Sequence, residues 1–191
     1  MYKRQDYRPD IKIVDATLRD GGLVNNFRFT DEFVKDLYQT NIKAGVDVME
    51  FGYKADKEMF DVKDFGKWKF CDDEDIRAVV GDNNTDLKIA VMADVGRCNY
   101  KQDIKPRAES PVDVIRVATY INQIPAAVDV IEDAVAKGYE VTCNIMAISN
   151  AQEADIRVAL DLLGKSPVNV IYIVDSFGAL FPEQIARIAA L

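Results

Sequence analysis

The fold class of this chain follows from the segment Ile11-Lys12-Ile13-Val14-Asp15-Ala16-Thr17-Leu18-Arg19-Asp20-Gly21-Gly22 and from the way its pattern repeats. Its first five residues are mostly apolar and β-branched, which predicts a short strand ending at Asp15. A helix is predicted further on, with Thr30 as its N-cap and Gly45 as its end. One strand and one helix are therefore expected up to Gly45.

The same alternation continues along the sequence. Further strands are predicted at 46–52, 87–94, 112–118, 139–147 and 168–174. Further helices are predicted at 73–80, 124–137 and 151–163, and a last one begins at Pro182, since proline suits the first turn of a helix. Strands that alternate with helices in this way indicate βαβ units and a parallel sheet.

Two architectures fit such an alternation, an open doubly wound sheet and a closed eight-stranded barrel. No Gly-x-Gly-x-x-Gly follows the first strand, so the open dinucleotide-binding fold lacks its signature. In a barrel the carboxyl ends of the strands converge on one mouth. We therefore predict an α/β fold, a (β/α)8 TIM barrel truncated after about six βα units, with residues 1–191 forming a single catalytic domain that is incomplete at its C-terminal end. Polar residues stand at the predicted strand ends: Asp15, Glu50, Asp94, Arg116, Asn144 and Asp175.

Composition narrows the possible functions. The 191 residues carry a formal net charge of −8, which argues against nucleic acid or an anionic membrane as a partner. There is no histidine, so this chain alone cannot supply a histidine base, a Ser-His-Asp triad or a histidine metal site. The three cysteines, Cys71, Cys98 and Cys143, form no CxxC pair and are expected to be reduced. No apolar run approaches a membrane span, and a cytoplasmic location is expected.

The strongest candidates for functional residues come directly after the first strand, where Arg19 and Asp20 stand side by side before Gly21 and Gly22. A carboxylate is a hard oxygen ligand that suits Mg²⁺ or Mn²⁺, and a guanidinium can hold a carboxylate or an enolate. The two glycines are expected to let the backbone approach a ligand. The alternative is that Arg19 and Asp20 form a simple ion pair and that the glycines form a turn.

The segment 15–21 resembles the first-strand motif of the DRE-TIM metallolyases, a superfamily that includes hydroxymethylglutaryl-CoA lyase. This superfamily also contains isopropylmalate and homocitrate synthases and 4-hydroxy-2-oxovalerate aldolase. The similarity continues through 49–53, 115–118 and 174–180, so it spans most of the chain. The turn Asp175-Ser176-Phe177-Gly178-Ala179 resembles the 4-hydroxy-2-oxovalerate aldolase branch in particular.

The resemblance implies a lyase of the aldolase type, acting on a small 2-oxo acid such as pyruvate with Mn²⁺ or Mg²⁺. Asp20 would be a metal ligand, Arg19 would stabilise the enolate, and Glu50 would organise the metal and its water. The family completes its metal site with His-x-His on a seventh strand, which this chain lacks. The 4-hydroxy-2-oxovalerate aldolases also place a histidine base where Leu23 stands here, so the general base, and hence the substrate, must differ from theirs or the base must come from elsewhere.

Five further residues are candidates because they stand at predicted strand ends. Asp175 and Ser176 lie on the turn after the sixth strand that the resembled family uses near its substrate, and both are expected to be catalytic. Arg116, Asn144 and Asp94 are expected to bind it. The alternative for Arg116 is an ion pair with Asp94 or Asp175 in the barrel interior, and for Asp94 and Asn144 it is hydrogen bonding at the mouth.

Two other functions remain open at this point. One is an acyl-CoA-condensing synthase of the same superfamily, and the other is a non-catalytic barrel that has lost its metal site. A possible homodimer would cover exposed sheet edges. The second loop, residues 53–72, connects the second predicted strand to the helix at 73–80. Four of its aromatic residues are expected to pack it against the barrel, with a subunit contact as the alternative: Phe60, Phe65, Trp68 and Phe70.

Overall fold

A computed structural model of the protein describes residues 11–191. Its central feature is one six-stranded parallel sheet in which the strands are neighbours in sequence order. This order is that of six successive units of a (β/α) barrel, as predicted. The strands are β1 Val14–Asp15, β2 Val48–Tyr53, β3 Lys88–Asp94, β4 Val114–Tyr120, β5 Glu140–Met146 and β6 Val170–Ile173.

Helices connect the strands. They are α1 Thr17–Asn25, α2 Asp31–Ala44, α3 Asp73–Val80, α4 Tyr100–Asp103, α5 Ile124–Ala136, α6 Glu153–Gly164 and α7 Pro182–Ala189, and short 3-10 turns include Lys67–Lys69. Among residues 11–191, no helix is both long and apolar enough to cross a membrane.

Local signals place several of these boundaries. The Thr30 hydroxyl accepts a hydrogen bond from the backbone N–H of Phe33 at 3.2 Å, which caps α2 as predicted. Gly45 ends the same helix in the left-handed conformation, at φ 72°. The prediction for 73–80 is confirmed without change.

Other boundaries differ from the prediction. The segment after β1 is helical, so Gly21 and Gly22 lie inside α1 and do not form a turn. Strand β1 is shorter than predicted and begins only at Val14. Strand β4 continues to Tyr120, which places Arg116 in the middle of the strand and not at its end.

The sheet has two faces with different chemistry. The face toward the helices is apolar and fully buried in the central strands, at Met49, Phe51, Ile89, Val91, Ile115, Val117, Val141, Cys143 and Ile145. Alternate residues point to the other face, which carries buried polar groups at Glu50, Arg116, Thr142 and Asn144. The interior of the barrel is therefore polar where it approaches the carboxyl ends of the strands.

The sheet is rolled rather than flat. Val14 on β1 and Val170 on β6 line the same cavity, of about 290 Å³, although these strands are at opposite edges of the sheet. Within residues 11–191, each of these edge strands pairs with a single neighbour. The cavity lies toward the amino ends of the strands. The other end of the barrel, at the carboxyl ends of the strands, is where barrel enzymes place their active sites.

Candidate active site

Glu50 is the centre of the polar cluster in the barrel interior. It lies on β2 and is completely buried. One of its oxygens, Oε2, accepts hydrogen bonds from Arg19 Nε at 2.9 Å and from Arg116 Nη1 at 2.6 Å. Its other oxygen, Oε1, is buried and has no hydrogen-bond partner among the described residues. A single carboxylate thus fixes two guanidinium groups and keeps one oxygen unused.

Arg19 reaches this cluster from the first turn of α1. Its Nη1 donates to Asp20 Oδ1 at 2.8 Å, so the guanidinium lies between two carboxylates. Burial opposes its charge, but the nearby Glu50 carboxylate more than compensates, and the pKa of Arg19 is raised above its ordinary value. Arg19 is therefore a permanent cation whose plane Glu50 fixes.

The glycines after Asp20 do not have the expected role. A Cβ on Gly22 would lie 2.2 Å from the ring of Phe27, so the missing side chain allows α1 to pack against that ring. Their position inside a packed helix contradicts the expectation that they bring the backbone close to a ligand. The reason is that helix formation begins at Thr17, before the pair is reached.

Arg116 belongs to the same cluster. Besides Glu50, it approaches Asn144 Oδ1 with Nη2 at 3.5 Å, and its guanidinium lies 5.0 Å from the centre of the Tyr172 ring. The alternative pairing with Asp94 or Asp175 is wrong, because the ion pair of Arg116 is made with Glu50. Arg116 and Asn144 thus both lie at the cluster around Glu50, although neither is the last residue of its strand.

Asp94 lies at the carboxyl end of β3 without joining that cluster directly. Burial raises the pKa of its carboxyl group, and Arg97, whose Nη1 is 3.6 Å away, partly opposes the rise. It forms no ion pair with Arg19 or Arg116. Asp94 is consequently a half-buried acid at the rim of the mouth.

Asp175 and Ser176 organise the loop that follows β6. The Asp175 carboxylate accepts a hydrogen bond from the backbone N–H of Leu180 at 2.9 Å, which lowers its pKa. The Ser176 hydroxyl accepts one from the N–H of Ala147 at 2.9 Å. Neither side chain hydrogen-bonds to Glu50, so the structure does not bring these two candidates into the cluster.

Two residues of the mouth were missed by the sequence analysis. Tyr53 is the last residue of β2 and lies beside Arg19. Burial raises the pKa of its hydroxyl, and the negative charges of Asp94 and Glu50 raise it further. The Lys69 ammonium lies 4.7 Å from the centre of the Tyr53 ring. A glycine at position 52, inside a predicted strand, is a sequence signal for a bulge that could have drawn attention to Tyr53, whereas nothing local singles out Lys69.

The described residues do not by themselves fit a metal ion. Asp20 has the right donor chemistry for Mg²⁺ or Mn²⁺, and its side chain is 71% exposed. However, residues 11–191 contain no group of three or more His, Cys, Asp or Glu that could hold a metal. Leu23, which stands where the resembled aldolases have a histidine base, is 57% exposed and brings no proton-transfer group.

Fold and site together define a (β/α)-barrel protein with a buried Arg–Glu–Arg cluster in the barrel interior. No family model matches the sequence. The chain is 28% identical over 181 residues to 4-hydroxy-2-oxovalerate aldolase 6 of Rhodococcus jostii, covering 95% of this chain and 50% of that protein. It is 27% identical over 180 residues to the 4-hydroxy-2-oxovalerate aldolase of Pelotomaculum thermopropionicum, covering 94% and 52%.

Solved structures agree with these relatives. The N-terminal domain of a protein provisionally named an aldolase from Bacteroides vulgatus matches with a TM-score of 0.70 and 25% identity, covering 94% of this chain and 59% of that chain. The HMG-CoA lyase of Brucella melitensis matches with a TM-score of 0.64 and 15% identity, covering 94% and 66%, which shows the fold alone.

The predicted resemblance to the DRE-TIM metallolyases, and to their aldolase branch, is confirmed by these comparisons. The predicted barrel, represented by about six units, is confirmed as well. The chain spans about half the length of the curated relatives it matches.

Proposed function

We propose that this chain forms barrel units of an aldolase, a lyase that cleaves or forms a C–C bond next to a 2-oxo acid such as pyruvate. The observation that carries this proposal is the fixed guanidinium of Arg19, held by the buried Glu50 beside the exposed Asp20. The similarity to 4-hydroxy-2-oxovalerate aldolases supports the same reaction class.

The chemistry of such a reaction explains the arrangement. Cleavage of the C–C bond leaves an electron pair that is delocalised onto the former carbonyl oxygen as an enolate. A permanent cation whose orientation is already fixed stabilises that oxygen without reorganising during the reaction. Arg19 would fill this role, and Glu50 would position Arg19 while balancing its charge.

Arg116 and Asn144 are proposed to bind the substrate from the neighbouring strands. They are held together on the interior face, and the contact of Arg116 with Tyr172 fixes its guanidinium further. Asp94 would contribute at the rim of the mouth. For Asp175 and Ser176, the observed contacts support a role in shaping the loop after β6 near the substrate.

A divalent cation, Mn²⁺ or Mg²⁺, remains part of the proposal, with Asp20 as one ligand. Because one carboxylate rarely holds a catalytic ion alone, the remaining ligands would have to come from groups outside the described residues. Calorimetric titration of Mn²⁺ tests this on the protein encoded by the complete reading frame. Asp20→Asn is expected to abolish the binding.

The activity itself is tested by pyruvate release from 4-hydroxy-2-oxo acids in the presence of Mn²⁺, using the same protein. Arg19→Lys keeps the charge but loses the planar fork, so kcat is expected to fall about 100-fold, the size of effect seen when one oxyanion donor is removed. Arg28→Lys is the matched control, because the Arg28 guanidinium donates to the backbone carbonyl oxygens of Lys63 and Asp64, away from the Glu50 cluster. If neither metal binding nor pyruvate release is found, Arg19 and Asp20 are an ion pair in a non-catalytic barrel.

A further inference from the structure

The last part of β2 is irregular, and the irregularity changes where Tyr53 points. Val48, Met49 and Glu50 pair in regular succession with Lys88, Ile89 and Ala90, but Tyr53 pairs with Met92 after a register shift. In a regular strand Tyr53 would lie on the same face as Met49 and Phe51, toward the helices. The extra residue in the strand turns Tyr53 to the face of Glu50, which is what a β-bulge next to a functional site commonly does.

Gly52 makes this turn possible. A Cβ at this position would lie 1.9 Å from the carbonyl oxygen of Trp68 and 3.0 Å from Cys71 Sγ. The backbone of β2 therefore touches the 3-10 turn at Lys67–Lys69, and any larger residue would push the two apart. The close approach fixes both the bulge and the position of Lys69 above Tyr53.

The surroundings of Tyr53 are those of a group prepared for proton transfer. Its hydroxyl lies beside the Arg19 guanidinium, with Asp94 and Glu50 as the next charged groups, and burial raises its pKa, so it carries its proton at neutral pH. Its ring is fixed by the edge of Phe27, at 5.6 Å between centroids, and by the Lys69 ammonium. A protonated hydroxyl is thus held next to the cation proposed to bind the enolate.

Lys69 is fixed as firmly as the tyrosine it covers. Its ammonium lies 4.4 Å from the Phe60 ring centre, 5.1 Å from Phe27 and 5.4 Å from Phe65, and the residue is 9% exposed. It forms no ion pair among the described residues, so the aromatic faces are its principal partners. Lys69 is therefore a positioning residue, which holds the Tyr53 ring in one orientation.

We propose that Tyr53 is the proton donor of this site, delivering its hydroxyl proton to the carbon of the enolate held by Arg19. This inference rests on the proposed function. When the C–C bond breaks, its electron pair stays with the 2-oxo acid fragment as an enolate, and the substrate hydroxyl becomes the aldehyde by losing its proton to water. The enolate then takes the Tyr53 proton at carbon to give the 2-oxo acid, and the phenolate regains a proton from solvent, so protons and electrons balance.

The test compares Tyr53→Phe with wild type in two reactions. The first is pyruvate release, and the second is exchange of the methyl protons of pyruvate with D2O, followed by NMR, which needs proton transfer at carbon but no aldehyde. Tyr53→Phe keeps the ring that contacts Phe27 and Lys69. Both rates are expected to fall at least about 100-fold, the lower range for general acid–base catalysis. Binding of oxalate, which imitates the enolate, is expected to stay within about threefold by calorimetry.

Tyr139→Phe is the matched control. This tyrosine lies at the amino end of β5, where its hydroxyl donates to the Lys105 carbonyl oxygen, and its loss is expected to leave both rates unchanged. Exchange that survives in Tyr53→Phe overturns the inference while leaving the proposed function intact. Loss of oxalate binding together with both rates also overturns it, because the hydroxyl would then be structural. A wild-type protein that neither releases pyruvate nor exchanges its protons removes the proposed function, and the inference with it.

Discussion

Glu50 places one negative charge between two guanidinium groups. Arg19 and Arg116 both donate to its Oε2, and the side chain of Arg116 is only 9% exposed. An ion pair buried in this way contributes little net stability when complete, but it is costly to break, because the remaining charge stays buried without a partner. The same contacts that prepare Arg19 for an anion therefore make Glu50 important for folding.

Glu50→Gln is expected to lower the free energy of unfolding by about 3–5 kcal/mol, since two neighbouring cations lose their shared counter-charge. The measurement is urea unfolding followed by circular dichroism. Asp161→Asn is the matched control: it breaks an exposed pair with Lys165 and is expected to cost at most about 0.5 kcal/mol. Equal effects of the two substitutions would contradict the description of Glu50 as the centre of the cluster.

The three cysteines are expected to be unreactive in the folded protein because burial raises the pKa of each thiol. Burial raises the pKa of Cys98 and of Cys143 to about 12, and it raises that of the fully buried Cys71 even further. At pH 8 only about one thiol in ten thousand would then be the reactive thiolate, against roughly a quarter for a free cysteine. We expect a disulfide reagent to label none of the three within minutes at pH 8 in the folded protein, and all three in urea. Fast labelling of any cysteine in the folded state would contradict this environment.

Residues whose contacts are local can be predicted from the sequence, whereas residues whose contacts join distant parts of the chain cannot. Arg19 and Asp20 could be singled out because their motif is local and follows a strand, and Glu50 because it stands near the end of the next predicted strand. The pairing of Arg116 with Glu50 could not, since it depends on which strands are opposite each other across the rolled sheet. Lys69 was missed because its partners are aromatic rings from separate parts of the chain.

At the scale of elements, helix caps and the alternation of apolar residues predict most boundaries. Thr30 and Gly45 delimit α2 because each satisfies a backbone requirement that is visible in the sequence. Helix α1 was missed since two glycines disfavour a helix, and the packing of Gly22 against Phe27 outweighs that local cost. The bulge in β2 was missed for the same reason, because the Trp68 backbone that requires it lies in a different element.

Gly52→Ala tests this contact between elements. The new methyl group would overlap the Trp68 carbonyl oxygen, and both groups are backbone-bound, so β2 and the 3-10 turn would have to separate. We expect a loss of about 3 kcal/mol in thermal or urea unfolding, at the upper end for overpacking. Gly164→Ala, in the last turn of α6 with nothing within 4 Å, is the control and is expected to be neutral or to stabilise by up to about 1 kcal/mol. A tolerated Gly52→Ala would show that the two backbones do not touch.

At the scale of the whole molecule, the central strands of the sheet are the most deeply buried from solvent, and β6 is the most exposed. Strands β3, β4 and β5 are buried almost throughout, whereas Val170 and Ile173 of β6 are 42% and 41% exposed. Helix α7 contains no buried residue. The barrel order of the strands could be predicted from the sequence, but this gradient could not, because it depends on which strands have neighbours on both sides.

Hydrogen exchange is expected to follow that gradient in a protein consisting of residues 1–191. Amides of β3 to β5 should exchange at least about 100-fold more slowly than those of β6 and α7, because local opening costs little where few groups are buried. Helix α6 is the internal control, since Ile156, Ala159 and Leu163 anchor it and should keep it protected. Uniform protection up to α7, measured by mass spectrometry of peptides, would contradict this prediction.

Trp68 is the only tryptophan of the chain. It is a fully buried residue of the second loop, and the centre of its ring is 5.3 Å from that of Phe51. Its indole belongs to the 3-10 turn that also carries Lys69 and packs against β2, so its emission comes from the contact between this turn and the strand. Tryptophan fluorescence of the unlabelled protein consequently reports the surroundings of this one indole, and with them the docking of the loop. A shift of the emission to longer wavelength would record the loop lifting from the barrel, and with it the separation of Lys69 from Tyr53, in real time.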